Sequence, residues 1–210
     1  MSYSANSEVV ANAKGLNQSQ SRAWDLMHEK PIVCLVGPPG CGKTFVAMKY
    51  GATAVKMQKV KNIIYIRSPM EMGRSKLGHL PGDVGQKMDP YVKAMSIIAK
   101  KLGISEYAIQ VFAPGYIQGI TFDDAVIVVD ECQIFDIEEF KAIVSRLGKT
   151  SRMIFCGDPS QDTRRTGEFP LFLDCVQKLN SVGIQYFNFS DNQRHPVINE
   201  IYSVLPGARS

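Results

Sequence analysis

The apolar pentad Ile32 to Val36 runs into Gly37-Pro38-Pro39-Gly40-Cys41-Gly42-Lys43-Thr44, and a stretch with helical spacing, Lys43 to Gln58, follows at once. Few folds accommodate that succession. Five consecutive apolar residues without polar alternation read as a strand covered on both faces. Glycines at 37, 40 and 42 give a tight loop whose backbone can enter conformations other residues avoid. The rest of the chain repeats the alternation. Ile63 to Ile66, Ile109 to Phe112, Val126 to Val129, Met153 to Cys156 and Gln185 to Phe189 read as further strands; Gln18 to His28, Val84 to Leu102, Ile137 to Leu147 and Leu171 to Leu179 read as helices. Strands rich in Ile and Val, joined through helices, predict right-handed crossovers and a mostly parallel central sheet. The expected fold is α/β, a doubly wound three-layer sandwich.

A chain of 210 residues has room for one such domain. It is expected to span 16–204, between a polar tail at 1–15 and a short tail at 205–210. Met70 to Asp89, rich in Gly, Pro and charge, is longer than an ordinary connection and is expected to be a functional loop. With 45% hydrophobic and 21% charged residues the composition is that of a soluble globular protein. No run approaches the roughly 20 apolar residues of a membrane span, and the first fifteen residues lack the apolar core of a signal peptide. The expectation is a cytoplasmic protein with no membrane partner. The five cysteines are odd in number and widely spaced, which points to free thiols and not to a zinc site. A net charge of +4 permits an anionic partner without demanding one.

Gly37 to Thr44 matches G-x-x-x-x-G-K-[ST] in the strand-to-helix context its chemistry needs. Backbone N–H groups of Gly37, Pro38, Pro39, Gly40, Cys41 and Gly42, proline nitrogens excepted, would curl around a β-phosphate, helped by the helix N-terminus. Lys43 would neutralise the β- and γ-phosphates of ATP, and the Thr44 hydroxyl would bind Mg²⁺. Val126-Ile127-Val128-Val129-Asp130-Glu131 is a buried strand ending in two carboxylates. Asp130 is the natural second partner of Mg²⁺, and Glu131 the group placed to polarise an attacking water. Gln133, two residues on, joins them as a nucleotide-site candidate. Gln161, in Gly157-Asp158-Pro159-Ser160-Gln161 after another strand, can bond a γ-phosphate or water without carrying charge. Gln20 offers the paired donor and acceptor that an adenine edge requires. Cys41 is expected to be a tolerated small side chain within the loop.

These segments, in this order, resemble the first, RecA-like motor domain of superfamily 1 helicases. Arg67-Ser68-Pro69, Lys76-Leu77-Gly78-His79-Leu80-Pro81-Gly82-Asp83, Asp89-Pro90-Tyr91, Gly119-Ile120-Thr121-Phe122 and Arg194-His195-Pro196 sharpen the likeness to the PhoH-like family, over about Leu16 to Tyr202. The resemblance implies a single-domain P-loop ATPase using ATP and Mg²⁺, with Lys43, Thr44, Asp130, Glu131 and Gln161 at the nucleotide. It also implies Arg194 as a late arginine able to reach a γ-phosphate, and a link to RNA. One motor domain lacks the second face of a helicase, so a homo-oligomer is expected, a hexameric ring by the resemblance. Arg67, Arg74, Lys76, His79 and Lys87 around the long loop, with Arg164 and Arg165, are the candidate contacts to single-stranded nucleic acid; Tyr91 and Phe122 are the nearest stacking partners. Where family members commonly carry arginines flanking Gly119, this chain has Gln118 and Ile120; where they commonly carry Asn, it has Ile134. An ATP-dependent remodeller of a protein partner and, further off, a small-molecule kinase are the other function classes the motifs allow.

Overall fold

The computed structural model describes residues 15–69, 84–162, 167–191 and 197. Six strands form one sheet: β1 (Ile32–Val36), β2 (Asn62–Ile66), β3 (Ile109–Phe112), β4 (Ala125–Asp130), β5 (Arg152–Gly157) and β6 (Val182–Tyr186). They lie in the order β3-β2-β4-β5-β1-β6, and every pairing is parallel. Around them run helices α1 (Gln18–Glu29), α2 (Lys43–Lys56), α3 (Val84–Leu102), α4 (Ile137–Val144) and α5 (Glu168–Val176). The α/β sandwich expected from the apolar periodicity is what the chain forms.

Strand β4 shows why the apolar runs are continuous. Side chains alternate across a strand, so Val126 and Val128 join Trp24, Met48 and Tyr50 under α1, α2 and α3. Ile127 and Val129 join Phe135, Phe140, Phe155 and Phe169 under α4 and α5. With helices on both faces there is no solvated side to call for polar residues.

Element ends differ from the sequence reading by three residues in three elements, and by one or two in several others. Helix α4 stops at Val144 because the residues after it are held elsewhere: Phe122 N–H donates to Arg146 O at 2.9 Å, and Leu147 bridges to Phe122. Helix α5 begins at Glu168, three residues early, although Pro170 stands in its first turn. There a proline costs no hydrogen bond, since first-turn amides lack intrahelical partners. The Gly167 N–H just ahead of it donates to Asp162 Oδ2 at 2.9 Å. Strand β6 begins at Val182 and pairs Val182 to Tyr186 with Ile32 to Val36 in strict register. Phe187 still donates its amide to Val36 O at 2.7 Å, and Asn188 N–H then turns to Asp191 Oδ2 at 2.9 Å. Among the described residues no helix is long and apolar enough to cross a membrane.

The carboxyl ends of β4, β5 and β1 lie side by side in this order, where open α/β sheets collect their ligands. The glycine loop leaves from β1, the acidic pair from β4 and the Gly157-to-Gln161 segment from β5.

Candidate nucleotide-binding site

Gly42 is the N-cap of α2 and has φ +87°, a left-handed conformation that glycine alone adopts without strain. No side chain caps this helix, and Gly42, Lys43, Thr44 and Phe45 at its start line the cavity. Behind Gly42 lies the carboxamide of Gln20, so close that a Cβ at position 42 would strike Gln20 Nε2. Lys43 Nζ arches over the loop, donating to Gly37 O at 2.6 Å and Pro38 O at 2.8 Å. Cys41 is fully buried and its thiol donates to Pro38 O at 2.9 Å. Burial pushes that thiol up, against the opposing pull of Lys43, so it behaves as a small packed side chain. Gly42→Ala is expected to cost about 1–2 kcal/mol from the left-handed backbone alone, with a further loss as Gln20 is displaced. A thermal melt of the apo protein checks this, as a Tm lowered by several degrees.

The acidic pair meets the loop directly. Thr44 Oγ1 donates to Asp130 Oδ1 at 2.8 Å. The other oxygen, Oδ2, accepts the Tyr65 hydroxyl at 2.5 Å and Arg67 Nη1 at 3.3 Å. Asp130 is only 6% exposed, and its carboxylate is held by Tyr65 of β2 and by Arg67 just past it on one side and by the Thr44 hydroxyl on the other. Burial, followed by the charge of Asp130, holds the Tyr65 phenol well above the ordinary range, so it stays a donor. Glu131 follows with φ +55° and ψ +46°, left-handed values that cost a non-glycine residue of order 1–3 kcal/mol. That turn brings Glu131 onto the cavity wall. Its Oε2 accepts Gln133 Nε2 at 2.6 Å, while Oε1 lies 3.8 Å from Arg67 Nη2.

Gln161 lines the same cavity from β5's side. Its Nε2 donates to Asp158 Oδ2 at 2.9 Å, while Asp158 Oδ1 accepts the amide and hydroxyl of Ser160 at 3.0 and 2.7 Å. The cavity that Lys43, Thr44, Asp130, Glu131 and Gln161 share measures about 270 Å³.

The two glutamines expected at the nucleotide, Gln20 and Gln133, are not on the wall of this cavity, and neither are Gly37, Pro38 and Cys41. Gln20 is buried, its Oε1 accepting Asn17 N–H at 3.2 Å and its Nε2 donating to Cys41 O at 3.2 Å; it pins the loop to α1. Gln133 is buried too, and its Oε1 accepts Asp158 N–H at 3.1 Å, so it ties Glu131 to the end of β5. Arg67, expected at a polynucleotide, turns towards Asp130 and Glu131, with its guanidinium 4.9 Å over the Tyr91 ring. Phe122 is buried beneath the sheet. Arg74, Lys76, His79, Arg164, Arg165 and Arg194 lie outside the described residues, as does the side chain of Lys87. Sequence reasoning missed Tyr65 and Asp158. The signals for them were a phenol in an otherwise aliphatic strand end, where a buried hydroxyl needs a partner, and an Asp-Pro pair opening the turn after β5.

A parallel sheet with this loop and this acidic pair at its carboxyl edge defines the P-loop NTPase fold. The family model described as PhoH-like protein matches residues 12–205, and the chain belongs to that family. The PhoH-like protein of Bacillus subtilis is 31% identical over 92% of this chain and 66% of its own length. Protein PhoH of Escherichia coli K12 is 29% identical over 83% of this chain and 53% of its own. The chain thus spans between half and two thirds of the curated relatives it matches. Among solved structures, the large terminase of a thermophilic bacteriophage superposes with a TM-score of 0.61 at 14% identity, over 90% of this chain and 49% of that one. A form of that terminase in complex with ADP gives 0.57 at 12% identity, over 93% of this chain and 48% of that one. At such identities the likeness is one of fold.

Proposed function

We propose that this chain is a Mg²⁺-dependent ATPase whose turnover is coupled to single-stranded RNA. The observation that carries the ATPase reading is the 2.8 Å bond between Thr44 Oγ1 and Asp130 Oδ1, which joins the glycine loop to the acidic pair. Two oxygens that close match adjacent ligands of an octahedral ion with 2.0–2.1 Å bonds, whose separation is about 2.9 Å. Thr44 and Asp130 would hold the ion, and phosphates and water would complete its shell. When bound, Mg²⁺ supplies charge neutralisation between phosphate oxygens. Lys43 takes the β- and γ-phosphate charge, the α2 amides bind the β-phosphate, Gln161 orients the attacking water and Glu131 draws its proton. The terminase that shares this fold has been solved in complex with ADP, which supports a nucleotide as the ligand class.

The RNA reading is supported by the family membership and by the basic residues that the sequence carries between Arg67 and Lys87 and at Arg164 and Arg165. Arg67 is the one of them that the described residues bring to the acids. A head-to-tail ring would let Arg194 of one copy reach the nucleotide of the next.

ATP turnover by the purified protein, titrated with Mg²⁺ and with single-stranded RNA, tests both parts. Lys43→Ala is expected to lower turnover about 10²-fold, as loss of one preorganised charge donor does. Unchanged turnover in that variant would sink the ATPase reading. Stimulation by RNA that disappears in high salt supports the coupling, whereas turnover indifferent to RNA moves the reading to a protein partner.

A further inference from the structure

The two oxygens of Asp130 are committed in opposite directions. Oδ1 faces Thr44 and the cavity, and Oδ2 faces β2, where Tyr65 and Arg67 hold it. Tyr65 pairs with Val128, two residues before Asp130. Residues two apart share a face of the strand, so the register aims the phenol along the sheet at the carboxylate. Tyr65 is 2% exposed, and its strand neighbours Ile63, Ile64 and Ile66 are aliphatic. Packing alone would be served there by leucine or phenylalanine; what tyrosine adds is one hydroxyl, and that hydroxyl ends on Asp130.

Arg67 does not duplicate this contact. Its guanidinium is shared between Asp130 at 3.3 Å, Glu131 at 3.8 Å and the face of Tyr91. A guanidinium favours a carboxylate that offers both oxygens at once. With the phenol gone, Asp130 is free to rotate into such a fork and withdraw Oδ1 from Thr44. The hydroxyl blocks that rotation by saturating Oδ2 from within the sheet.

We propose that Tyr65 is a positioning residue for the metal site: it fixes the rotation of the Asp130 carboxylate so that Oδ1 stays beside Thr44, and it thereby sets the affinity for the divalent cation. This rests on the reading that Thr44 and Asp130 hold Mg²⁺. Partners that orient metal ligands typically account for 10–100-fold in metal affinity.

The test is a titration of Mn²⁺, followed by electron paramagnetic resonance in the presence of ADP, on the full chain and on Tyr65→Phe. The expected result is a Kd for Mn²⁺ raised about tenfold, with binding of a fluorescent ATP analogue in EDTA unchanged. In turnover, the Mg²⁺ concentration for half-maximal rate rises while the rate at saturating Mg²⁺ is kept. Tyr65→Leu, which fills the space differently and also lacks the hydroxyl, is expected to give the same shift. In an Asp130→Asn background the Tyr65→Phe change is expected to have no further effect on the metal. Equal Mn²⁺ affinity in wild type and both Tyr65 variants overturns the proposal and leaves the ATPase reading standing. A wild type that binds no Mn²⁺ beside ADP overturns both.

Discussion

Glu131→Gln is expected to lower ATP turnover about 10³-fold, within the range attributed to a positioned general base, while leaving the affinity for ATP close to that of the wild type. The two side chains have the same shape, so the variant separates charge from packing. Glu131 stands in a left-handed turn at the end of β4, and glutamine can take that backbone at the same cost. Gln133 Nε2, which donates to Glu131 Oε2 at 2.6 Å, finds an amide oxygen in the variant. What is lost is the negative charge able to take a proton from water. In the proposed mechanism phosphate binding would depend on the loop amides and on Lys43, whose ammonium is held by Gly37 O and Pro38 O and not by Glu131. Single-turnover hydrolysis, measured beside equilibrium binding of a fluorescent ATP analogue, checks both halves. Turnover within about threefold of wild type, far from the loss expected of a missing base, would assign the base elsewhere. Weakened binding in step with turnover would make Glu131 a structural support and not a base.

The parts of this site legible in the sequence are those where one residue type does one chemical task at a fixed spacing. Gly37 to Thr44 is such a part, because glycine conformations, a lysine and a hydroxyl must follow one another within one loop. Asp130 and Glu131 are another, since paired carboxylates at the end of an apolar strand call for a cation or a water. The sheet was legible for a similar reason: the inner strands β1, β2, β4 and β5 are buried on both faces, so their apolar runs need no partner to be recognised. What could not be read is register. Tyr65 reaches Asp130 only because β2 pairs with β4 in one alignment of parallel strands, and the same residue one position away would point to the other face. Gln20 and Gln133 were legible as polar groups near the site, but whether a carboxamide faces the cavity or braces the loop depends on which backbone atoms come within 3.2 Å. Helix ends were lost where local signals conflict with tertiary ones. Pro170 reads as a breaker although it stands in a first turn, and Ser145 to Leu147 read as helix although the 120–122 segment claims them.

The second large effect is on stability. Phe140→Ala is expected to destabilise the fold by about 3–5 kcal/mol, the range for deleting a buried phenylalanine, out of the roughly 5–15 kcal/mol that holds a typical domain. Phe140 is 1% exposed and lies at the centre of the aromatic cluster beneath the sheet. Its ring stacks on Phe172 at 4.3 Å and on Phe169 at 6.0 Å, and meets Phe135 and Phe155 at 5.9 Å each. These partners come from α5, β5 and the turn after β4, so one side chain joins three elements to α4. Helix α4 has eight residues, far short of what persists alone in water; it depends on that burial, on its Asp136 and Glu139 capping box and on the Ile137 N–H bond to Glu168 Oε2 at 2.7 Å. Four rigid rings cannot collapse into the space left by the fifth without abandoning their own contacts, which places the cost towards the upper end. Phe140→Leu, which retains most of the volume, is expected to cost less than half as much. Chemical denaturation checks both: the midpoint falls while the slope with denaturant stays constant. A loss under about 1.5 kcal/mol for the alanine variant, half the low end of the expected range, would mean that α4 is held by its polar caps and not by this cluster. Because Phe135 lies two residues after Gln133, the same variant is also expected to loosen the Glu131 tether, so turnover should fall at temperatures where the fold is still intact.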